Sequence, residues 1–398
     1  MNTEPVIVAG VGMVPFSKPS AGARYEDMAP AAASRALDDA GVTYADIQQA
    51  YAGWVYGDST AGQAALYRVG LTGIPIINVN NNCSTGSTAL YLARQAIRSG
   101  DADCVLALGF EQMTPGALRE VWTDRLSPFT AFGDAVDRVT GPVPDDVPLA
   151  ARLFGGAGRA HMEQFGTRPE TFAKISVKAR AHAANNPNAV FRAPVTVEEV
   201  MASPMVSDPL TRLMCCPPTC GAAAAVLCSR EFAAAHGIDD TVVIRAQAMT
   251  TDTPSSFASG DLRRLVGYDM TRAAADAVYA ASGVGPDDIP VVELHDCFST
   301  NELISYEALG LTPEGTAEQF VDDGENTYGG RVVVNPSGGL LSKGHPLGAT
   351  GLAQCTELVG QLRGTAGARQ VDGARVALQH NIGIGGAAVV TLYEKVTR

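Results

Sequence analysis

Two stretches of this 398-residue chain echo each other, and a duplicated chain has few ways to fold. Ala36-Leu37-Asp38-Asp39-Ala40-Gly41-Val42, followed by Asp46-Ile47 and Ala50, returns as Val278-Tyr279-Ala280-Ala281-Ser282-Gly283-Val284, followed by Asp288-Ile289 and Val292. Each copy reads as a helix closed by a C′ glycine, a short turn and entry into a strand. A second echo links Gly86-Ser87-Thr88-Ala89-Leu90 with Gly348-Ala349-Thr350-Gly351-Leu352; each precedes a helical stretch and then a strand, over 104–108 and 375–379. Strands alternating with helices predict an α/β fold with parallel or mixed sheets covered by helices. Two halves related by a pseudo-twofold bring equivalent strand ends together, and the site in such sheets lies beyond the carboxyl ends of the strands.

The expected organisation is an N-terminal half over 1–117 completed by 204–240, an insertion over 118–203 with one clear helix over 148–165, and a C-terminal half over 241–398. The insertion has no counterpart in the second half and reads as a cover for the site. Its cations Arg119, Arg125, Arg152, Arg159, Lys174, Lys178 and Arg180 are candidates to face phosphates, against the ordinary role of solvated surface charge.

With 46% hydrophobic and 18% charged residues the chain can bury a sizeable core, and a net charge of −13 argues against nucleic acid as a partner. The eight cysteines have no disulfide-framework spacing. No apolar run approaches the roughly 20 residues of a membrane span. The start has no basic n-region and the end carries no Ser-Lys-Leu address, so the cytoplasm is the expected compartment.

Cys83 follows the apolar Ile76-Ile77 run and reads as the first residue of a helix. There the dipole and unpaired N–H groups would favour its thiolate and could later hold an oxyanion. A buried structural thiol is the alternative. Three further motifs sit at expected strand or loop ends: His295-Asp296-Cys297-Phe298, Ser342-Lys343-Gly344-His345-Pro346, and His380-Asn381-Ile382-Gly383. An imidazole suits deprotonation of a thiol, and a second thiol can protonate a carbanion beside a carbonyl. Cys215-Cys216-Pro217-Pro218-Thr219-Cys220 matches no zinc spacing, so no metal is expected. Gly383-Ile384-Gly385-Gly386 precedes a strand-like run and lacks the helix that a dinucleotide loop requires.

These motifs together resemble the thiolase superfamily, and more narrowly its sterol-carrier-type branch. The resemblance spans nearly the whole chain, with Asn335-Pro336-Ser337-Gly338-Gly339 through Gly351-Leu352-Ala353-Gln354 especially specific. It implies a duplicated thiolase fold: two βαβαβαββ halves in a layered α-β-α-β-α core, with an inserted loop domain. It implies thiolytic cleavage of a 3-oxoacyl-CoA, or the reverse Claisen condensation, with coenzyme A as co-substrate and no permanently bound cofactor. Cys83 would be acylated and His345 would activate it. Cys297 would be the second acid/base, and His295 would help form one oxyanion hole. The Cys83 N–H and the loop with His380, Asn381 and Gly383 would form another, and Ser256 would meet the pantetheine arm. Ordinary thiolases carry Asn-Glu-Ala-Phe where this chain has His-Asp-Cys-Phe, and a cysteine where it has His380; the thiol has moved between loops. The chain ends soon after its last strand, so no separate sterol-carrier module is expected. A homodimer or homotetramer is implied. The alternatives are a decarboxylating ketosynthase-like enzyme, a retro-aldolase that needs a small OB-fold partner, and a non-enzymatic lipid-binding protein.

Overall fold

The structure is a computed structural model that describes residues 5–114, 122–141 and 147–396. Ten strands form its main sheet: β1 (Val6–Met13), β2 (Gln49–Gly53), β3 (Ile76–Val79), β4 (Cys104–Glu111), β7 (Gly221–Cys228), β8 (Val242–Thr250), β9 (Val291–Glu293), β10 (Val333–Val334), β11 (Val376–Gly383) and β12 (Ala387–Lys395). A separate hairpin joins β5 (Met205–Ser207) to β6 (Leu210–Thr211).

The strand order is a mirror. It runs β3-β2-β4-β7-β1 in the first half and β8-β12-β11-β9-β10 in the second. In each half the first strand pairs antiparallel with the last, the last antiparallel with the fourth, and the two outer pairs are parallel. The halves join where Val6 and Ile7 of β1 meet Ile244 and Val243 of β8. Helices Thr85–Ser99 and Thr350–Arg363 touch strands of both halves, whereas Tyr25–Ala40 packs on the first half and Tyr268–Ser282 on the second. That is the expected layering of helix, sheet, paired helices, sheet and helix.

The sequence echoes are physical equivalents. Gly41 and Gly283 close their helices at φ of 70° and 74°, in the left-handed region that glycine enters without penalty. The turns that follow are held alike: Asp46 accepts the Thr43 N–H at 2.8 Å and Asp288 accepts the Gly285 N–H at 2.9 Å. The Ala-rich strand β7 is buried along its whole length, between partners on both edges and helices on both faces.

The helix expected over 148–165 is Leu149–Phe165, and helices Thr130–Thr140, Pro169–Ala183 and Val197–Ala202 accompany it. The boundary expected at 117/118 lies outside the described residues. The two central helices meet at glycine, where a Cβ on Gly351 would lie 2.3 Å from the Ser87 nitrogen, and the loop before the second helix is as tight. A Cβ on Gly348 would lie 2.3 Å from the Phe110 carbonyl and 2.7 Å from that of Gly53, so a side chain there would force the halves apart. Among the described residues no helix is long and apolar enough to cross a membrane.

Candidate active site

Four expected residues converge beyond the carboxyl ends of strands. Cys83 lies in the turn between β3 and helix Thr85–Ser99. His295 and Cys297 follow β9, and His345 precedes helix Thr350–Arg363. The Cys83 sulphur and a nitrogen of each of His295 and His345 lie within 4.8 Å of one another. The two imidazole rings meet edge to face, with centroids 5.0 Å apart. Cys297 is buried and within electrostatic reach of Cys83.

Cys83 differs from its expected setting. The helix starts two residues later, and the N–H groups of Ser84 and Thr85 are already taken by the Asn81 and Asn82 carbonyls. Asn82, at φ 50°, makes the left-handed turn that aims Cys83, held by its amide donating to the Ile384 carbonyl at 3.0 Å. Cys83 keeps some solvent access, yet it is surrounded closely enough that burial, aided by the Glu111 carboxylate, pushes its thiol up to about 12. Its own N–H works in the opposite direction and is outweighed. Cys83 therefore rests as a thiol at neutral pH, against the thiolate expected from the helix dipole.

A candidate base, His345, lies beside it. Thr350 donates its single hydroxyl proton to the Pro346 carbonyl at 3.0 Å, so its oxygen accepts from His345 Nδ1 at 2.7 Å. Nε2 of His345 then carries a lone pair and has no hydrogen-bond partner among the described residues. Burial lowers His345 to about 3, which keeps it neutral and able to take a proton. Burial also pushes the Cys297 thiol well above its ordinary value and His295 well below. All four groups rest uncharged. In the absence of substrate, alkylation of Cys83 by iodoacetamide is expected to rise about tenfold per pH unit between pH 7 and 9, read by peptide mass. A plateau by pH 7 would mean a preformed thiolate–imidazolium pair.

The sequence reading missed several groups that build this site. Asp296, between the two catalytic candidates, is fully buried; its carboxylate accepts the N–H groups of Leu340 at 2.7 Å and Leu341 at 3.3 Å. It thereby holds the widened turn Gly339–Lys343 that delivers His345. Burial, reinforced by Glu302, raises its pKa. Glu111, at the end of β4, accepts N–H groups from Val55 at 3.1 Å, Tyr56 at 2.9 Å and Gly348 at 3.0 Å, and so clamps the His345 loop to the first half. Burial lifts it to about 7 against those three donors. The segment dismissed as a metal motif is a wall of the site. The Cys216 N–H donates to the Cys297 carbonyl at 2.9 Å, Cys215 bridges Phe298, and Pro218 bridges His345. The donor set with metal-like spacing is instead Cys83, His295 and His345, which no local spacing could announce because it joins three distant segments.

The stretch from His380 to Gly383 was expected as a loop and is the end of β11, paired residue by residue with β12 from Val390 to Ala387. Its side chains alternate between faces. His380 meets Thr271 of the outer helix, with Nε2 3.0 Å from the hydroxyl, and its Nδ1 has no partner among the described residues. Asn381 reaches Ser87 of the central layer and lies 2.7 Å from His295 Nδ1. Gly383 presses on the Cys83 turn, where a Cβ would lie 2.2 Å from the Asn81 carbonyl.

Ser256 stands apart, in a pocket of about 220 Å³ that it lines with Arg138, Phe257 and Asp261 and that none of the four converging residues lines. Asp252 is bonded to Ser256 and packs where a Cβ on Gly386 would fall. The insertion's cations are mostly engaged. Arg125, Arg152, Arg159 and Lys174 pair with Asp124, Asp137, Asp208 and Asp322; Lys178 is buried against Glu302; and Arg180 lies 4.3 Å over the Phe191 ring. Arg119 lies outside the described residues. Arg138, which drew no attention in the sequence, is the cation that lines the pocket.

Comparison with known proteins agrees with this architecture. The thiolase N-terminal domain family matches residues 6–231 and the thiolase C-terminal domain-like family matches 254–395. The chain belongs to the thiolase family. Within that family it is 55% identical over 392 residues to sterol carrier protein 2 of Rattus norvegicus, covering 98% of this chain and 71% of the relative. It is 38% identical over 377 residues to the acetyl-CoA acetyltransferase of Methanothermobacter thermautotrophicus, covering 93% and 94%. Among solved structures, an Ltp2-ChsH2(DUF35) aldolase superposes with a TM-score of 0.81 over 98% of each chain at 23% identity, a likeness of fold alone. The expected thiolase fold is thus found, down to the paired central helices of its two halves.

Proposed function

We propose that this thiolase is an acyl-CoA C-acyltransferase that cleaves a 3-oxoacyl-CoA with coenzyme A, or runs the reverse Claisen condensation, through an acyl-Cys83 intermediate. The observation that carries this reading is the convergence of the Cys83 sulphur with nitrogens of His295 and His345 within 4.8 Å, beside the buried thiol of Cys297. His345 Nε2 takes the Cys83 proton as the sulphur attacks the 3-keto carbon. The C2–C3 bond breaks, the acyl group stays on sulphur, and the enolate of the departing acyl-CoA takes its proton from Cys297. Cys297 then deprotonates the incoming coenzyme A thiol, which attacks the acyl-enzyme and frees Cys83. His295 donates to the thioester oxygen as enolate charge develops there.

Cys297 separates this reading from a decarboxylating condensing enzyme, whose carbanion arises from loss of carbon dioxide and needs no thiol acid. The presence of Cys83 favours acyl transfer over a partner-dependent retro-aldol reaction. In the same reading, the pocket with Arg138 and Ser256 takes the coenzyme A arm. The unpaired edge of β3, with Ile77 exposed, supports a homodimer or homotetramer, and eight free cysteines fit the reducing cytoplasm.

The test is CoA-dependent cleavage of a panel of straight-chain and 2-methyl-branched 3-oxoacyl-CoAs, read by product mass. A shortened acyl-CoA with acetyl- or propionyl-CoA is the expected result, and no cleavage by folded, reduced protein would overturn the proposal. The Cys297→Ala variant is expected to bind 3-oxoacyl-CoA with little change and to lose carbon–carbon cleavage by about 10²-fold or more. Near-normal turnover would move the acid/base role to another group.

A further inference from the structure

A thiol with two imidazoles at this spacing is also a good site for a soft divalent metal. Which chemistry it performs turns on where His295 keeps its proton. As an N–H donor at Nε2 the ring suits an oxyanion; with a lone pair at Nε2 it completes a three-ligand metal site with Cys83 and His345. The hydrogen-bond directions decide between these, and they start from a group with only one possible role.

The Gly351 carbonyl can only accept, and it takes the Gln379 side-chain amide at 2.7 Å. Tyr393 donates to the other end of that amide at 2.5 Å, so Gln379 is fixed. Its second N–H goes to the Ser87 oxygen at 2.8 Å, and the Ser87 hydroxyl donates its single proton to the Asn381 side-chain oxygen at 2.9 Å. The Asn381 NH₂ therefore faces His295 Nδ1 at 2.7 Å, and Nδ1 must accept. All of these side chains are buried, and the chain crosses from the second half to the first and back.

We propose that Asn381 is a positioning residue whose amide, oriented through Ser87 and Gln379, locks His295 as the Nε2–H tautomer and so keeps the Cys83–His295–His345 cluster from acting as a metal site. The donor role of His295 rests on the proposed thiolase reaction; the tautomer does not, because it belongs to the resting protein.

The experiment uses full-length protein with ¹⁵N-labelled histidine, without substrate, at pH 8, with Zn²⁺ affinity measured against a chromophoric chelator. Native His295 is expected to carry its proton on Nε2. Asn381→Asp places an acceptor at Nδ1, which then takes the proton. Zn²⁺ is expected to bind at least about tenfold more tightly, because a carboxylate behind a ligating imidazole strengthens the ligand. Zn²⁺ should also protect Cys83 from iodoacetamide in this variant more than in the native protein. A gain of affinity is a result that mere structural damage cannot produce. If Asn381→Asp does not fold, Ser87→Ala frees the Asn381 amide to turn and is expected to give both tautomers. Native His295 protonated at Nδ1, Asn381→Asp with unchanged tautomer and Zn²⁺ affinity, or Ser87→Ala with a single unchanged tautomer would each overturn the proposal. Absent thiolysis in the native protein would overturn the functional reading and leave this one standing.

Discussion

Cys83→Ala is expected to abolish the covalent acyl-enzyme and to lower thiolysis by about 10⁴-fold or more, with coenzyme A binding retained. The size follows from the mechanism. Removing a nucleophile removes the intermediate itself, and what survives is the binding and oxyanion contribution of the remaining site. Cys83 is partly accessible and sits in a turn held by the Asn81 and Asn82 carbonyls, none of which uses its sulphur, so the fold should be undisturbed. His345→Ala should approach the same loss, because with Cys83 near a pKa of about 12 almost no thiolate forms at neutral pH without a base. The two losses should not add, since the pair acts as one unit. Intact-protein mass after incubation with a 3-oxoacyl-CoA reads the acyl adduct directly. An adduct persisting in Cys83→Ala would place the nucleophile elsewhere, with Cys216 and Cys297 the nearest thiols to examine.

Lys178→Met is expected to destabilise the protein by about 3–5 kcal/mol, the range for stripping one partner from a buried ion pair. The Lys178 ammonium meets the Glu302 carboxylate, lies 3.2 Å from the Val334 carbonyl and 3.4 Å from the Tyr306 hydroxyl, and both ionic side chains are almost wholly enclosed. Without the cation, Glu302 keeps Asn335 and Tyr306 as donors but loses its counter-charge, and it faces Asp296, also buried and already raised by it. The cost is one of desolvation, so removing the second charge should relieve it. Lys178→Met/Glu302→Gln is expected to recover at least half of the loss in urea denaturation. A single-variant cost under about 1 kcal/mol would mean that the pair is solvated. Because helix Ser299–Ala308 follows directly on Cys297, loss of this anchor should lower activity before it unfolds the chain.

Several features of the site were legible from short stretches of sequence. The Gly-Val and Asp-Ile echo encodes the same helix stop and the same capped turn twice, because a left-handed C-cap and an aspartate accepting a nearby N–H are set within a few residues. Cys83, His295, Cys297 and His345 could be picked out since strand-then-polar motifs mark strand ends. The unbroken run of small and apolar residues Gly221–Cys228 marks a strand buried along its length. Where the reading failed, the deciding partner lay far along the chain. His380 belongs to a strand because Val390 pairs with it, and Lys178 is no phosphate ligand because Glu302 lies beneath it.

The duplication, the order of elements and the identities of the groups that meet are written in short stretches of chain. Local propensity, helix stops and hydrophobic runs are properties of a few neighbouring residues. The tertiary structure alone decided the chemical state of those groups. Burial turns Cys83 from an expected thiolate into a thiol, Thr350 and Pro346 leave His345 a free lone pair, and Glu111 ties the His345 loop to the opposite half. Desolvation and hydrogen-bond direction are set by every atom around a group, and those atoms come from segments hundreds of residues apart that only the folded chain brings together.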